Sequence, residues 1–600
     1  MKRKRTLIGA LLILALLLSA CEKTEKPQGT EATESSSGTV ATVPVKDPDS
    51  LFTDRDKETT YDAATAGVIT LKGDSAQSST DAVKISGTTV EITEEGTYVL
   101  SGQLGDGQVV VDCEKTDKVH LVLNGATITS STSAAIYVRQ ADKVFVTLQE
   151  GTENTLENAG AFTATDDNNV DAALFSKDDL TLNGKGTLTV TSPAGHGVVS
   201  KDDLVITGGT YQVSSAAQGL SGKDSVRISD GVFTLSAGKD GIHAENSEDD
   251  SLGFCYISGG NFTVTAEGDG ISASGTLEIT DGNFTVTAGG GSENGDKQNT
   301  GNYGGFPGGM GGMGRPGGMG KPGRTVEQTT EETDESTSMK GVKAGGALTV
   351  LGGVFQMNTA DDAVHSNADV TVAGGSFTVA TGDDGIHADN CLTVSGGMIS
   401  VTESYEGLEG LHIAISGGEI SLISTDDGLN AAGGTDNSGL GGRDQMFGKG
   451  GFGGMSSGNG SIIISGGTLY VQASGDGIDA NGTLEITGGH TTVCGPTQGD
   501  TATLDYDKTA VISGGTFIGT GASGMAQSFS GSENQGVIAL QVGSAPAGTE
   551  IAIKDKAGNV ILSCAPKLSY NVAIFSCPQM EKGQTYTVCM GDQSAEFKAN

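Results

Sequence analysis

The sequence predicts an all-β protein, a parallel β-helix closed by a small C-terminal β domain. Three observations predict it. First, a Gly-Gly or Asp-Gly pair recurs at 208, 230, 259, 281, 352, 374, 396, 417, 466, 488 and 514, with unbroken steps of 22, 22, 22, 22, 21 and 22 residues. Second, short runs alternate apolar and polar residues, as in Ile386 and Ala388, Leu392 and Val394, and Phe377 and Val379 of the preceding repeat. Period-two alternation marks a strand with one buried face. Third, Gly and Asp punctuate these runs where tight turns need them. Three short strands and three turns per ~22 residues make one coil, which buries its apolar face only by stacking on its neighbours. About 11–13 such coils fit between residues 105 and 520. A leucine-rich repeat would need a recurring Leu framework, a propeller blade about forty residues and an RTX repeat about nine, and none of these matches.

Taken in order, the chain begins with a targeting segment. Lys2 to Arg5 are basic, Leu7 to Leu18 are apolar, and Leu18-Ser19-Ala20-Cys21 reads as a lipobox. This predicts a lipoprotein signal peptide over 1–21 and a diacylglyceryl anchor on Cys21, placing the exported chain on the membrane at the cell surface. The apolar run is shorter than the ~20 residues of a membrane span, and no later run reaches that length. Residues 22–60, rich in Thr, Ser, Glu, Lys and Pro, predict a flexible tether. Residues 61–525 carry the repeats, with Gly/Met-rich insertions at 289–338 and 433–460 read as loops outside the core. Met310, Met313 and Met319 in the first, and Met446 and Met455 in the second, leave a ligand-gripping role open. From 526 to 600 the period is lost. There Val537 to Leu540, Glu550 to Ile553, Val560 to Ser563, Tyr570 to Ile574 and Tyr586 to Cys589 alternate like strands of an antiparallel domain. Such a domain would cap the open strand edges of the helix.

Formal net charge is −39, from 35 basic and 74 acidic residues. Polyanions are repelled by such a chain, which argues against nucleic acid or anionic lipid as a partner. Of eight Cys, Cys21 is assigned to lipid, and Cys113, Cys255, Cys391 and Cys494 are scattered without metal-ligand spacing. Cys564, Cys577 and Cys589 lie close enough in sequence to predict one disulfide in an exported protein.

The acids are placed by the repeat. Stacking aligns equivalent positions about 4.8 Å apart, so each repeat position becomes a column. The residue before the turn glycine reads Asp240, Asp269, Lys340, Asp362, Asp384, Glu406, Asp427 and Asp476, with a second acid before it at Asp361, Asp383 and Asp426. Two residues after the glycine the column reads His243, Ser272, Lys343, His365, His387, Glu409, Asn430 and Asp479, expected to face outward and meet ligand. Taken as exposed, these aspartates are ionised at pH 7, and a pair at ~4.8 Å repels by about 3.5 kcal/mol at an effective dielectric near 20. Bound cations relieve this, and Ca²⁺ takes six to eight oxygens at about 2.3–2.6 Å. Asp-Asp-Gly is also a favoured turn on its own. Lys340 and Lys343 are expected to break the acid column, leaving metal sites on either side. Stacked His365 and His387 could hold zinc or copper, but their oxygen-rich neighbours favour a solvated or ligand-facing role.

The opening run from Gly87 to Asp112, with Val90, Ile92, Gly96, Tyr98, Ser101, Gly102 and Gly107, leads into Leu121 to Thr127. Together with the Asp-Gly-Ile-His-Ala turns and the Gly, Met and Pro-rich insertion, it resembles the carbohydrate-binding, polysaccharide-lyase-like β-helix proteins, which are lipoproteins or secreted proteins of anaerobic bacteria. The resemblance implies a right-handed parallel β-helix with bound calcium that binds cellulose or acidic, pectin-like polysaccharide. It covers nearly all of residues 60–600, but its motif is a repeat and carries over no catalytic signature.

Four functions compete. The first, and preferred, is a non-catalytic, calcium-dependent binder of polysaccharide at the cell surface, with calcium bridging protein and sugar carboxylates. The second is a calcium-dependent lyase acting on uronate polymers by β-elimination, with a basic residue such as Lys340 or Lys343 taking the C5 proton; Lys239 and Lys223 are further candidates. The third is an adhesive stalk without a sugar ligand. The fourth is a hydrolase using paired carboxylates. The net charge and the absence of a Lys/Arg cluster weigh against a polyuronate-cleaving enzyme.

Overall fold

A computed structural model describes residues 48–164, 166–246, 248–249, 251–295, 338–432, 459–499 and 501–600. The signal peptide with Cys21, residues 22–47 of the expected tether, and residues 296–337 and 433–458 of the expected insertions lie outside the described residues. The chain is all-β, and 46 of its strands join in one large, mostly parallel, open sheet.

The parallel pairing runs through three ladders. One ladder carries the six-residue strands Thr187–Ser192, Thr210–Ser215, Val232–Ala237, Asn261–Ala266, Asn283–Ala288, Val354–Thr359 and Ser376–Thr381, each in register with the next. Their burial alternates strictly, as in exposed-buried-exposed for Asn261–Ala266. Tyr211, Phe233, Phe262, Phe284, Phe355 and Phe377 stack inward from it, with centroids 4.5–5.2 Å apart. That spacing is the distance between neighbouring strands, so the rings repeat with the backbone. A second ladder includes Asp203–Ile206, Ser225–Ile228, Phe254–Ile257, Leu277–Ile279, Leu348–Val350 and Val370–Val372. A third runs through Ile242–Ala244, Ile271–Ala273, Val342–Ala344, Val364–Ser366, Ile386–Val394, Leu408–Ile415, Leu429–Asn430 and Ile478–Asp479. The Gly-Gly marks are explained by the second glycine of each pair, which takes a positive φ, +98° at Gly353 and +93° at Gly375. L-residues rarely adopt that conformation.

Pairing continues across both gaps. Ile271 is in register with Val342, and Leu429 with Ile478. At the ends the sheet turns antiparallel. Ala76–Ser78 pairs with Gly67–Gly73, and Tyr570–Ser576 pairs with both Thr516–Gly521 and Val537–Ala545. Ile551–Lys554, Val560–Cys564, Thr585–Met590 and Gln593–Lys598 form a separate antiparallel sheet.

Two expectations change. Composition predicts a tether to residue 60, yet Pro48–Leu51 and Asp54–Lys57 are helical and packed. Leu51 and Phe52 bury against Val205 and Tyr256, and the buried Asp56 carboxylate takes the Lys143 ammonium at 2.9 Å and the Thr181 hydroxyl at 2.6 Å. Local composition misled because Leu51, Phe52, Asp56 and Glu58 have partners more than a hundred residues away. The C-terminal disulfide is also absent: Cys564, Cys577 and Cys589 are free. Cys564 and Cys589 flank the central strand Ile551–Lys554 from opposite sides, opposite Ile551 and Ala552. Two strand spacings, about 9–10 Å, exceed the Cα reach of a disulfide.

Candidate functional site

The third ladder and the turns before it build the site. Main-chain hydrogen bonds link the turns in one line: the Asp269, Lys340, Asp362, Asp384, Glu406, Asp427 and Asp476 carbonyls accept from Gly241, Gly270, Gly341, Ala363, Gly385, Gly407 and Gly428. The residues two positions on pair directly, His243 with Ser272, Lys343, His365, His387, Glu409, Asn430 and Asp479 in succession.

Asp240, Asp269, Asp362, Asp384, Asp427 and Asp476 have a first task that repulsion arguments miss. One carboxylate oxygen accepts the amide N–H of the next turn. Asp240 takes Asp269 at 2.9 Å, Asp269 takes Lys340 at 2.7 Å, Asp362 takes Asp384 at 3.0 Å, Asp384 takes Glu406 at 3.3 Å and Asp427 takes Asp476 at 2.6 Å. Asp476 accepts from Ala502 in the same way. These six acids therefore cap stacked turns, and most acids of the line are buried rather than exposed: Asp269, Asp361, Asp362, Asp383, Asp384, Glu406 and Asp427 all are, with Asp362 and Asp384 at 0%.

The second oxygen distinguishes the two halves of the line. In the N-terminal half a cation of the chain meets it. Asp240, Asp362 and Asp384 each face the Nδ1 of the histidine three residues on, at 2.7, 2.8 and 3.2 Å. The other ring nitrogen faces Glu245, Asn367 or Asp389 two residues further, a repeated Asp-x-x-His-x-acid/amide pattern that the sequence displays but sequence reasoning passed over. His365 and His387 stack at 4.9 Å. Lys340 does not break the line as expected. Its ammonium lies 3.0 Å from Asp361 and 2.8 Å from Asp362, within the acid cluster of Asp361, Asp362 and Asp383. Burial opposes ionisation of Asp362, but Lys340 and the two imidazoles hold it well below the usual carboxylate range. Burial likewise opposes charge on His387, yet Asp384, Asp389 and Glu409 hold its pKa well above the ordinary value. His365 and His387, expected to face outward, are buried because they are enclosed by these partners.

In the C-terminal half the histidine position is filled by Glu409, Asn430 and Asp479. Asn430 donates to Glu406 at 2.9 Å. Among the described residues no Lys, Arg or His nitrogen pairs with Glu406, Asp427, Asp476 or Asp479. One oxygen from each of Asp427, Asp476 and Asp479 lies within 4.8 Å of the others. Burial, then the neighbouring acids, push Asp476 up to about 7 and Asp479 to about 6, and hold Asp427 and Glu406 well above the carboxylate range. A Cβ at Gly475 would collide with Oδ1 of both Asp426 and Asp427, so glycine keeps this space open.

A cleft of ≈ 870 Å³ lies beside the first turns, lined by Lys239, Asp240, His243, Glu245, Asp269 and Lys343 among others. Lys343 Nζ donates to Ser338 Oγ at 3.1 Å and lies 3.7 Å from Asp269. Burial opposes charge on His243, but Asp240 and Glu245 raise it to about 9, so it is protonated at neutral pH and is no general base there. Of the two lysines proposed for a lyase, Lys340 is 3% exposed and held by two aspartates, out of reach of a substrate; Lys343 alone opens on the cleft.

A family model and a curated relative carry the same family description. The model of a family described as carbohydrate-binding domain-containing protein matches residues 86–385 and 384–524. A protein of that name from Acetivibrio thermocellus is 39% identical over 137 residues, 22% of this chain and 48% of the relative. The chain thus spans about half the length of the curated relative it matches. A solved structure described as the polysaccharide lyase-like protein from C. thermocellum, gadolinium derivative, shares 35% identity over 38% of this chain and 92% of that one, with a TM-score of 0.36.

Proposed function

The chain belongs to the carbohydrate-binding domain-containing family, and from that premise we propose that it is a non-catalytic, calcium-dependent polysaccharide-binding protein. In this reading the three ladders wind as a right-handed parallel β-helix over residues 61–525. Residues 526–600 close its C-terminal end, and a lipid on Cys21 tethers it to the cell surface.

The observation that carries calcium is the trio Asp427, Asp476 and Asp479. Its donors are all oxygen, it lacks a counter-cation within the described chain, and Gly475 keeps its approach clear. Hard Ca²⁺ prefers such oxygens, supplemented by backbone carbonyls and water. Asp427, Asp476 and Asp479 would hold it, with Asp426 beside them. Its chemistry there is charge neutralisation: it lets the turn acids stay ionised while they cap the next amides. The Asp361, Asp362 and Asp383 cluster fits calcium poorly, because the Lys340 ammonium already occupies it. His387 does the same for Asp384 and Glu409, and His243 for Asp240. The ten acids first considered as ligands thus reduce to the C-terminal group.

Two measurements test this reading. Calorimetric titration with Ca²⁺ should show binding that Asp476→Asn weakens at least tenfold. Retention on cellulose or polygalacturonate should fall when chelator is added. Calcium binding unchanged in Asp476→Asn, or no retention on any polysaccharide, would overturn it. A lyase reading keeps the two candidate lysines that line the cleft, Lys343 and Lys239. Incubation with polygalacturonate and Ca²⁺, followed by the absorbance of unsaturated uronate, decides it: turnover lost in Lys343→Ala would replace the binder by an enzyme.

A further inference from the structure

We propose that the glycan docks on the outer face of the first ladder, over strands Thr187–Ser192 to Asn283–Ala288, and that it is an uncharged polysaccharide. This rests on the polysaccharide-binding reading and deepens it by naming the surface and the class of sugar polymer.

The face is defined by what it lacks. In a chain that is 18% charged with a net charge of −39, these five consecutive strands contain no Asp, Glu, Lys or Arg. Within these repeats the second ladder carries Arg227 and Glu278 at the equivalent register and the third carries His243; further along the chain the third carries Lys343, Glu409 and Asp479. Strand propensity explains the threonines, but Lys and Glu are tolerated on an exposed strand face, so propensity does not explain their absence.

What the face presents is hydroxyl and amide. Gln212, Thr234, Thr263 and Thr285 form one outward column in register, all exposed, with Ser214, Ser236, Thr265 and Thr287 in the next. The Thr234, Thr263, Thr265 and Thr285 hydroxyls bond no other group among the described residues. Asn283 donates to Asn261 at 3.0 Å along the edge of the array. Strands about 4.8 Å apart and alternate residues about 6.6–7 Å apart set out a flat lattice of donors and acceptors. A polymer whose surface is itself rows of hydroxyl groups can replace the water on this lattice bond for bond. A polyuronate cannot: its carboxylates would find no Lys or Arg here and would meet the repulsion of the whole chain.

The test uses the exported chain with microcrystalline cellulose and with polygalacturonate as probes. Thr263→Lys/Thr285→Glu places opposite charges side by side, a pair that adjacent strands accommodate. Thr263→Val/Thr285→Val removes only the hydroxyls and keeps the shape. Expected are a loss of at least tenfold in affinity for cellulose in the charged variant, a smaller loss in the valine variant, and unchanged Ca²⁺ titration in both. Cellulose retention equal to wild type in both variants overturns the proposed surface. Retention by polygalacturonate alone overturns the uncharged class while leaving a polysaccharide binder standing. Retention by neither polymer, with Ca²⁺ still bound, removes the binding reading itself.

Discussion

Replacing Lys340 by Met removes the internal cation from the acid line while keeping the length of the side chain. Its ammonium touches Asp362 at 2.8 Å and Asp361 at 3.0 Å, and Asp362 is fully buried. At an effective dielectric near 20 each contact is worth roughly 5–6 kcal/mol gross, much of it offset by desolvation. Removing one partner of a buried pair leaves the other charge uncompensated and costs about 3–5 kcal/mol. Stacked repeats open locally rather than all at once, so the readout is hydrogen exchange of peptides spanning 338–366, followed by mass spectrometry. At about 1.4 kcal/mol per tenfold, protection there should fall by roughly two to three and a half powers of ten. Peptides of the C-terminal sheet should keep theirs. Millimolar Ca²⁺ should restore part of the loss in the variant and change nothing in this segment of the wild type, because only the variant has a vacated cation position. Lys340→Arg, which keeps the charge, should lose far less. Wild-type protection in Lys340→Met without added cation would refute the assignment of Lys340 as the counter-ion of this cluster.

Further outcomes follow from the same geometry. In metal-free protein the folded-state pKa values of Asp476 and Asp479 are raised, to about 7 and about 6. Their contribution is therefore fully present below pH ~4 and lost as pH rises through 6–7; exchange of amides in 470–505 should quicken between pH 5 and 8 after correction for intrinsic rates, and Ca²⁺ should remove the trend. His387→Gln keeps a hydrogen-bonding side chain but deletes the charge between Asp384 and Glu409; because the His387 pKa is raised well above its ordinary value, the loss of thermal stability should be full below pH ~6.5 and shrink only as pH rises into the alkaline range, measured by circular dichroism. Phe284→Ala breaks the ring stack at its middle, where both neighbouring centroids are 4.7 Å away, and should cost about 3–5 kcal/mol of local stability, read as faster exchange in the strands carrying Phe262 and Phe355.

The parallel sheet was legible because its signal is redundant: eleven glycine marks and an apolar residue at every second position of each short strand reinforce one another. The two columns were equally legible, since a fixed period turns sequence spacing into spatial neighbourhood. What those columns do was not. Asp362 and Asp476 occupy the same repeat position, yet one faces Lys340 and the other faces Asp427 and Asp479. Compensation depends on how far the Lys340 side chain reaches into the next turn, and spacing does not encode reach. Burial of His365 and His387 was missed for a related reason, because alternation separates only the two sides of a strand and says nothing of what covers the outer one. The packing of Leu51, Phe52 and Asp56 against distant strands has no periodic trace at all.

The strands on either side of residues 296–337 and 433–458 meet in the register they would have if nothing intervened. Such positions behave as seams: the length and composition of the segment between them are free to drift while the scaffold geometry stays constant. A scaffold of this kind can acquire or exchange a peripheral module without renegotiating its core, and each repeat boundary offers one more place to do so.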